Sequence, residues 1–308
     1  MREETTTETA NDFAPHVALL FVQVFFGSGA ILGKLALAAF PPAAIVGFRV
    51  AGAALAFYVL QRWRGGSMRL ERGSHYFYFF LFSLLGVVGN QLLYFKGLSL
   101  TTATNTSLLA VTIAVFTILI SVFIGNDKLT VLKIVGTILA AGGVIYLVDP
   151  ARASFSAATT QGDLMIIFNC IFYATYVAVS KKLVTHYGAL KSIAWVFLFG
   201  GVIVVPLGLF AFFSGGGEAV GWNSWFWLWM IIVFPTILAY YWNTWALARV
   251  EPSMVAVYTY LQPVIGTLAA VFILGEAWKP RIFLAMALIF TGVFLVTRKR
   301  KREVISKI

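Results

Sequence analysis

The stretch SLLAVTIAVFTILISVFI, Ser107 to Ile124, runs for eighteen residues without a charge. Crossing the roughly 30 Å hydrocarbon core of a bilayer takes about 20 mostly apolar residues in a helix. A barrel strand would instead alternate over about 10 residues, so this continuous run predicts a transmembrane helix. Working outward, ten such runs are separated by charged or Gly/Pro-bearing breaks near Phe40, Arg64, Gly97, Gly125, Arg152, Lys182, Gly215, Val250 and Lys279. The composition agrees, with 60% hydrophobic and only 11% charged residues and a mean hydropathy of +0.88, which excludes an ordinary soluble domain. Lipid offers the backbone no hydrogen bonds, so only helices or a closed barrel can span it. The predicted fold class is therefore an all-α integral membrane protein with ten transmembrane helices.

The net charge of +11 would suit nucleic acid if the basic residues clustered, but they sort by loop. With the N-terminus inside, 17 of the 23 Lys and Arg residues fall in cytoplasmic segments, including the tail RKRKR from Arg298, and four fall outside. That asymmetry fits the positive-inside rule with both termini cytoplasmic. The tail reads as a stop signal resting on anionic lipid, and no nucleic-acid partner is expected. The first residues, MREETTTETANDFAPH, are acidic where a signal peptide would be basic, and read as a disordered cytoplasmic tail. Cys170 is the only cysteine, which excludes an internal disulfide and a thiolate cluster.

A shift of 150 positions sets SLLAVTIAVFTILISVFIGNDKL, from Ser107, over VYTYLQPVIGTLAAVFILGEAWK, from Val257. Thr117 falls on Thr267, Gly125 on Gly275 and Gly142 on Gly292, and the breaks stay in phase. The first spans correspond more loosely, FFGSGAILGKL with IFYATYVAVSKKL, each with a lysine just before its last residue. Five spans per half is an odd number, so the second half must be inverted relative to the first. The expected organisation is a tail at 1–15, a first five-helix repeat at 16–150, a second, inverted one at 151–298, and a basic tail at 299–308.

Inverted repeats place a site at their interface that rocking can expose to either side, which favours transport. An enzyme would need a catalytic constellation, and the sequence carries no HExxH, GxSxG, paired Asp-rich motif or P-loop. No catalytic residue, metal or cofactor is expected. A receptor or scaffold would leave the five-plus-five inversion unexplained.

The proline-flanked second span FPPAAIVGFRVAGAAL, then LLYFKGLSLTTAT, a long span ending in GNDKL, and LARVEPSMVAVYTYLQPVIGTLAAVFILGEAWK with Gly292 in the last span together resemble the drug/metabolite transporter superfamily. More narrowly, they resemble its EamA-type ten-helix members, from about residue 15 to 298. The resemblance implies a carrier of small organic metabolites, amino acids prominent among them and often outward. It also implies a central cavity lined mainly by the first, third, fourth, sixth, eighth and ninth helices. The family's Gly-Glu at the end of the ninth span is kept as Gly275-Glu276, while the first half has Gly125-Asn126. The family's proline in the fourth span is replaced by Ile113, opposite Pro263, which argues against both halves hinging alike.

Two cations fall within spans. Arg49 lies eight residues from Pro41, roughly 12 Å deep, where a charge costs at least about 2.5–3.5 kcal/mol and should face protein or a wet cavity. It reads either as a bidentate carboxylate anchor or as a tie between helices. Lys34, roughly 6 Å from the end of its helix, can snorkel. No Asp or Glu falls deep in a span; Asp163, Glu251 and Glu276 come closest. Facilitated diffusion or exchange is thus expected over carboxylate-mediated proton coupling.

Candidate cavity residues are the polar and aromatic groups deep in the expected lining helices: Asn90, Gln91 and Tyr94 in the third span, Asn105 in the fourth, and Asn169, Tyr173 and Tyr176 in the sixth. The eighth supplies Tyr240, Tyr241, Trp242, Asn243 and Trp245, and the ninth Tyr258, Tyr260 and Gln262. Each has an alternative in the aromatic belt or in helix bridging. Pro263 removes a backbone bond and is the expected hinge. The glycines of FFGSGAILG and VGTILAAGG are read as packing positions, and Pro206 and Pro235 as kinks. The expected function is alternating-access transport of small metabolites such as neutral or aromatic amino acids across a cell inner or plasma membrane. Export of hydrophobic drugs or sugar-like metabolites, or a receptor or scaffold, is the alternative. The expected partners are the small-molecule substrate and membrane lipids.

Overall fold

The structure is a computed structural model, and it describes residues 4–148, 156–214, 220–274 and 280–297. Among these residues it is helical, with no strand. In chain order the helices are α1 (Glu4–Leu37), α2 (Pro42–Trp63), α3 (Gly73–Ser83), α4 (Asn90–Leu100), α5 (Ala103–Leu109), α6 (Thr112–Phe123), α7 (Val131–Val148), α8 (Ala157–Tyr187), α9 (Ala189–Ser214), α10 (Trp222–Ile232), α11 (Ala239–Leu247), α12 (Pro252–Val257), α13 (Leu261–Leu274) and α14 (Arg281–Thr297). Eight stretches are long and apolar enough to cross a membrane: Phe13–Leu37, Pro42–Trp63, Gly73–Leu100, Thr104–Phe123, Val131–Val148, Thr159–Tyr187, Ala189–Ser214 and Trp222–Leu247. A shorter apolar helix, Ile282–Thr297, ends the described chain. α1 starts at Glu4, inside the stretch expected as a tail. Gly275, Glu276 and the basic tail lie outside the described residues.

The third and eighth apolar stretches share an unusual build. α3 continues into α4 through a π-helical turn, Leu84–Gly89, and α10 continues into α11 through another, Val233–Leu238. Gly73 and Trp222, Leu84 and Val233, and Asn90 and Ala239 each lie 149 positions apart. Pro235 gives the second turn a cause, since it lacks the N–H that would serve Ile231. The Thr236 hydroxyl donates to the Ile231 carbonyl instead, at 2.7 Å.

The fourth stretch breaks between α5 and α6, and the corresponding segment, 252–274, breaks at a 3₁₀ turn, Tyr258–Tyr260. The halves are therefore interrupted alike, although only one has a proline there. The ring of Pro263 excludes a normal helical bond to the Thr259 carbonyl. In the first half the Thr112 hydroxyl donates to Leu109 O at 2.7 Å, and Val111 and Ile113 bond three residues back, to Leu108 and Ala110, the tighter 3₁₀ pattern.

Packing sorts the helices into two three-stretch bundles and two flanking pairs. One bundle joins α3–α4, α5–α6 and α8; the other joins α1, α10–α11 and α12–α13. The first stretch of each half thus packs with the third and fourth of the other half. The pairs are α2 with α9 and α7 with α14. Glycine permits their close contact: a Cβ on Gly208 would stand 2.7 Å from the Gly47 Cα, and one on Gly292 2.4 Å from the Gly136 carbonyl oxygen.

Candidate substrate cavity

Between the two bundles lies a cavity of about 110 Å³, room for several waters or a small organic molecule. α4 contributes Asn90, Gln91, Tyr94 and Phe95, α6 contributes Ile113, and α8 contributes Asn169 and Tyr173. From the facing bundle come Phe26 and Gly29 of α1, Ile231, Pro235 and Tyr240 around the second π turn, and Thr259 and Gln262 beside the 3₁₀ turn. Arg49 enters from α2.

The polar groups form a web across the bundles. Asn90 and Tyr240, 150 positions apart, meet where each follows a π turn. The Tyr240 hydroxyl donates to Asn90 Oδ1 at 3.2 Å and accepts from Gln91 Nε2 at 3.4 Å. Asn169 Nδ2 donates to the Asn90 carbonyl at 2.7 Å, Asn243 Nδ2 to the Tyr173 hydroxyl at 3.1 Å, and Gln262 Nε2 to Gln23 Oε1 at 2.9 Å. Gln91 Oε1 is buried and meets no donor among the described residues. Such an orphan in a polar cavity is a place for a water or a ligand donor.

Arg49 is 6% exposed and meets no carboxylate among the described residues. Its Nε donates to Thr236 Oγ1 at 2.9 Å, its Nη2 reaches the Pro235 carbonyl at 3.5 Å, and its guanidinium carbon lies 4.9 Å from the centroid of Phe95. A charge-assisted hydrogen bond is worth about 1.5–3 kcal/mol and a desolvated cation–π contact about 2 kcal/mol. Together they offset an insertion cost of about 2.5–3.5 kcal/mol while leaving N–H groups unspent. Arg49 is both a tie between α2 and the π turn and a donor at the cavity wall, so the two sequence readings are not exclusive.

The other expected residues are distributed more widely. Tyr176 is buried behind the wall, its ring against Gly86 of the first π turn, and Asn243 supports Tyr173 from outside the cavity. Trp242 turns away to pack on Phe21 and Phe25 of α1, with ring centroids 5.6 and 5.7 Å apart. Tyr258 shares a 2.8 Å hydrogen bond with His16. Asn105 sits near the start of α5 and donates to both oxygens of Asp163, at 3.0 and 3.1 Å, where Thr101 Oγ1 also donates at 2.5 Å. The sequence left Asp163 as a span-end acid; here it is buried, at 7% exposure, because these donors replace water. Lys34, a span cation that can snorkel, is exposed rather than buried, and its ammonium caps the C-terminal carbonyls of α4, Leu98 at 2.6 Å and Thr101 at 3.1 Å. The negative end of the helix dipole explains that placement. Pro263 lies in the first turn of α13, next to the cavity residue Gln262.

Sequence reasoning missed Phe26, Phe95, Ile231, Thr236 and Thr259. Phe95 lies four residues after Gln91, hence on the same helix face. Thr236 follows a proline within a span, where a hydroxyl commonly satisfies the freed carbonyl.

A helical bundle with eight stretches long and apolar enough to cross a membrane, and a polar, aromatic-walled cavity between two three-stretch groups, is the build of a multi-pass membrane protein. The chain belongs to the EamA-like transporter family, which matches residues 15–148 and again 160–298, within the drug/metabolite transporter superfamily. An uncharacterized transporter of Archaeoglobus fulgidus is 28% identical over 92% of this chain and 98% of its own. The uncharacterized transporter YetK of Bacillus subtilis is 24% identical over 93% and 88%, and the WAT1-related protein At5g13670 of Arabidopsis thaliana 23% identical over 94% and 85%. A solved crystal structure superposes with a TM-score of 0.75 at 19% identity, covering 92% of this chain and 96% of that one, a likeness of fold.

Proposed function

We propose that the protein is a secondary carrier that moves small amphipathic metabolites, neutral and aromatic amino acids among them, by alternating access across a cell inner or plasma membrane. Taking 252–274 as a ninth span and α14 as a tenth gives two five-helix repeats, 16–150 and 151–298. The matched π turns and helix breaks 149 positions apart support the repeat, and the odd span number inverts it. The charge asymmetry of the loops supports cytoplasmic termini. We read the chain as a carrier rather than an enzyme, with substrate and lipid as its partners.

The observation that carries this reading is Arg49 at the wall of an inter-bundle cavity lined by Phe26, Tyr94, Phe95, Tyr173 and Tyr240. The guanidinium suits a carboxylate, the rings suit an apolar side chain, and the unpartnered Gln91 Oε1 suits a donor. No carboxylate lines the cavity among the described residues, which favours an uncoupled carrier. Counterflow of labelled leucine and phenylalanine in liposomes holding the purified protein tests it. Flux that exceeds protein-free liposomes and ignores a pH gradient is expected. Absence of flux for every amphipathic compound tried would return the chain to the drug, sugar or scaffold alternatives.

A further inference from the structure

Among the described residues that line it, the cavity holds a single formal charge. Arg49 supplies it, and every other lining side chain is neutral. Four carboxylates of the described residues are committed elsewhere. Asp163 is held by Thr101 and Asn105. Asp127 and Glu251 are held by Lys133. Glu71 pairs with His186.

Arg49 is held in place with donors to spare. Thr236 and Pro235 fix one side of the fork and Phe95 covers the group, while the remaining N–H groups meet no acceptor among the described residues. A carboxylate there would neutralise the cavity. A zwitterion would leave the cavity with the same net positive charge it has when empty, its one carboxylate shared between Arg49 and its own ammonium in a small space of amides and rings. A buried charge without an opposite partner is heavily penalised, and a neutral amide acceptor such as Gln91 Oε1 offsets only part of that. A free amine would add a second cation beside the guanidinium.

We propose that the preferred substrate is a monocarboxylate anion with an aromatic or apolar body, and that the same body carrying an added ammonium is a poorer substrate. The proposal rests on the transport reading above and sharpens its substrate class. Uncoupled movement of such an anion carries charge, so flux responds to membrane potential.

Three compounds of matched shape test it: 3-phenylpropionate, phenylalanine and phenethylamine, which carry one negative charge, none and one positive charge at neutral pH. In proteoliposomes 3-phenylpropionate is expected to compete at least ten-fold better than phenylalanine, with phenethylamine weakest. A potassium diffusion potential set with valinomycin should drive its net flux out of the negative compartment. Arg49→Gln should cost the carboxylates at least ten-fold, with part recovered in Arg49→Lys; if these variants do not fold, the wild-type charge series decides. Phenylalanine or phenethylamine matching or beating 3-phenylpropionate would overturn the proposal while leaving the carrier intact. Calorimetric titration of the detergent-solubilised protein separates the two readings. Binding of 3-phenylpropionate without flux would sink transport and keep the anion site, and absence of binding would sink the site.

Discussion

At the scale of single residues, Thr236 links fold to site. Its hydroxyl repairs the carbonyl that Pro235 orphans and accepts from Arg49 Nε. Thr236→Val keeps the shape and removes both bonds, leaving a buried carbonyl and a buried N–H unpaired at about 1–3 kcal/mol each. The expected result is a lower denaturation temperature in detergent and weaker carboxylate binding, both recovered in Thr236→Ser. A Thr236→Val protein as stable as wild type would mean water already serves Ile231. Asp163 gives a parallel case without a ligand. Asp163→Ala removes the buried acceptor that the Asn105 amide and the Thr101 hydroxyl share, and should destabilise by about 1–3 kcal/mol with substrate preference unchanged, as read by thermal melting beside the competition assay.

At the scale of elements, the glycines of α7 and α14 divide sharply. A Cβ on Gly292 of α14 would meet Gly136 O at 2.4 Å and Ala140 N at 2.6 Å, whereas a Cβ on Gly142 would meet nothing. Backbone atoms cannot swing aside, so Gly292→Ala must force α7 and α14 apart, an overpacking cost of about 1–3 kcal/mol. Gly142→Ala should be neutral or stabilising by up to about 1 kcal/mol, because alanine is the better helix former. Thermal melts of the two variants in one detergent check the contrast. The same glycines mark where the sequence stopped being legible. Apolar runs and charged breaks place the spans because lipid imposes length and composition. The repeat pairs Gly142 with Gly292, yet Gly136 and Gly143 are the ones that face α14. A one-dimensional register does not say which side of a helix meets its neighbour. Likewise Arg49, Asn90, Tyr94, Tyr173, Tyr240 and Gln262 are legible as cavity groups because polarity deep in a span demands a protein or water partner. Trp242 and Asn105 share that polarity and satisfy it elsewhere, one on α1 rings and one on Asp163.

At the scale of the molecule, the cavity sits between bundles that are tied at both ends. At one end Lys34 of α1 caps the C-terminus of α4. At the other Lys181 of α8 donates to Leu247 O, at the C-terminus of α11, at 2.6 Å. Lys34 and Lys181 lie 147 positions apart and their acceptors Leu98 and Leu247 149 apart, so one device occurs twice. α8 runs from Asp163, beside Thr101, to Lys181, eighteen residues or roughly 27 Å away, which places the two ties on opposite faces. The alternating access proposed above would require each tie to part in turn. A charged hydrogen bond of about 1.5–3 kcal/mol with about 0.3–1 kcal/mol from the helix dipole would make each worth roughly twenty-fold or more in the equilibrium between the two openings. The ends are unequal, however. The Lys181 end is also held by Lys133 on Glu251 at 2.5 Å and by the Ser253 amide on Asp127 at 3.3 Å. Lys34→Met should therefore favour opening at its own end strongly, Lys181→Met should favour the opposite end more weakly, and the double variant should lie between, displaced toward the Lys34 side. A cavity reporter, Ile113→Cys in a Cys170→Ala background, labelled by an impermeant maleimide from each face of oriented vesicles, measures the balance. Shifts of the same sign in both single variants would show that the lysines stabilise the fold without setting which face is open.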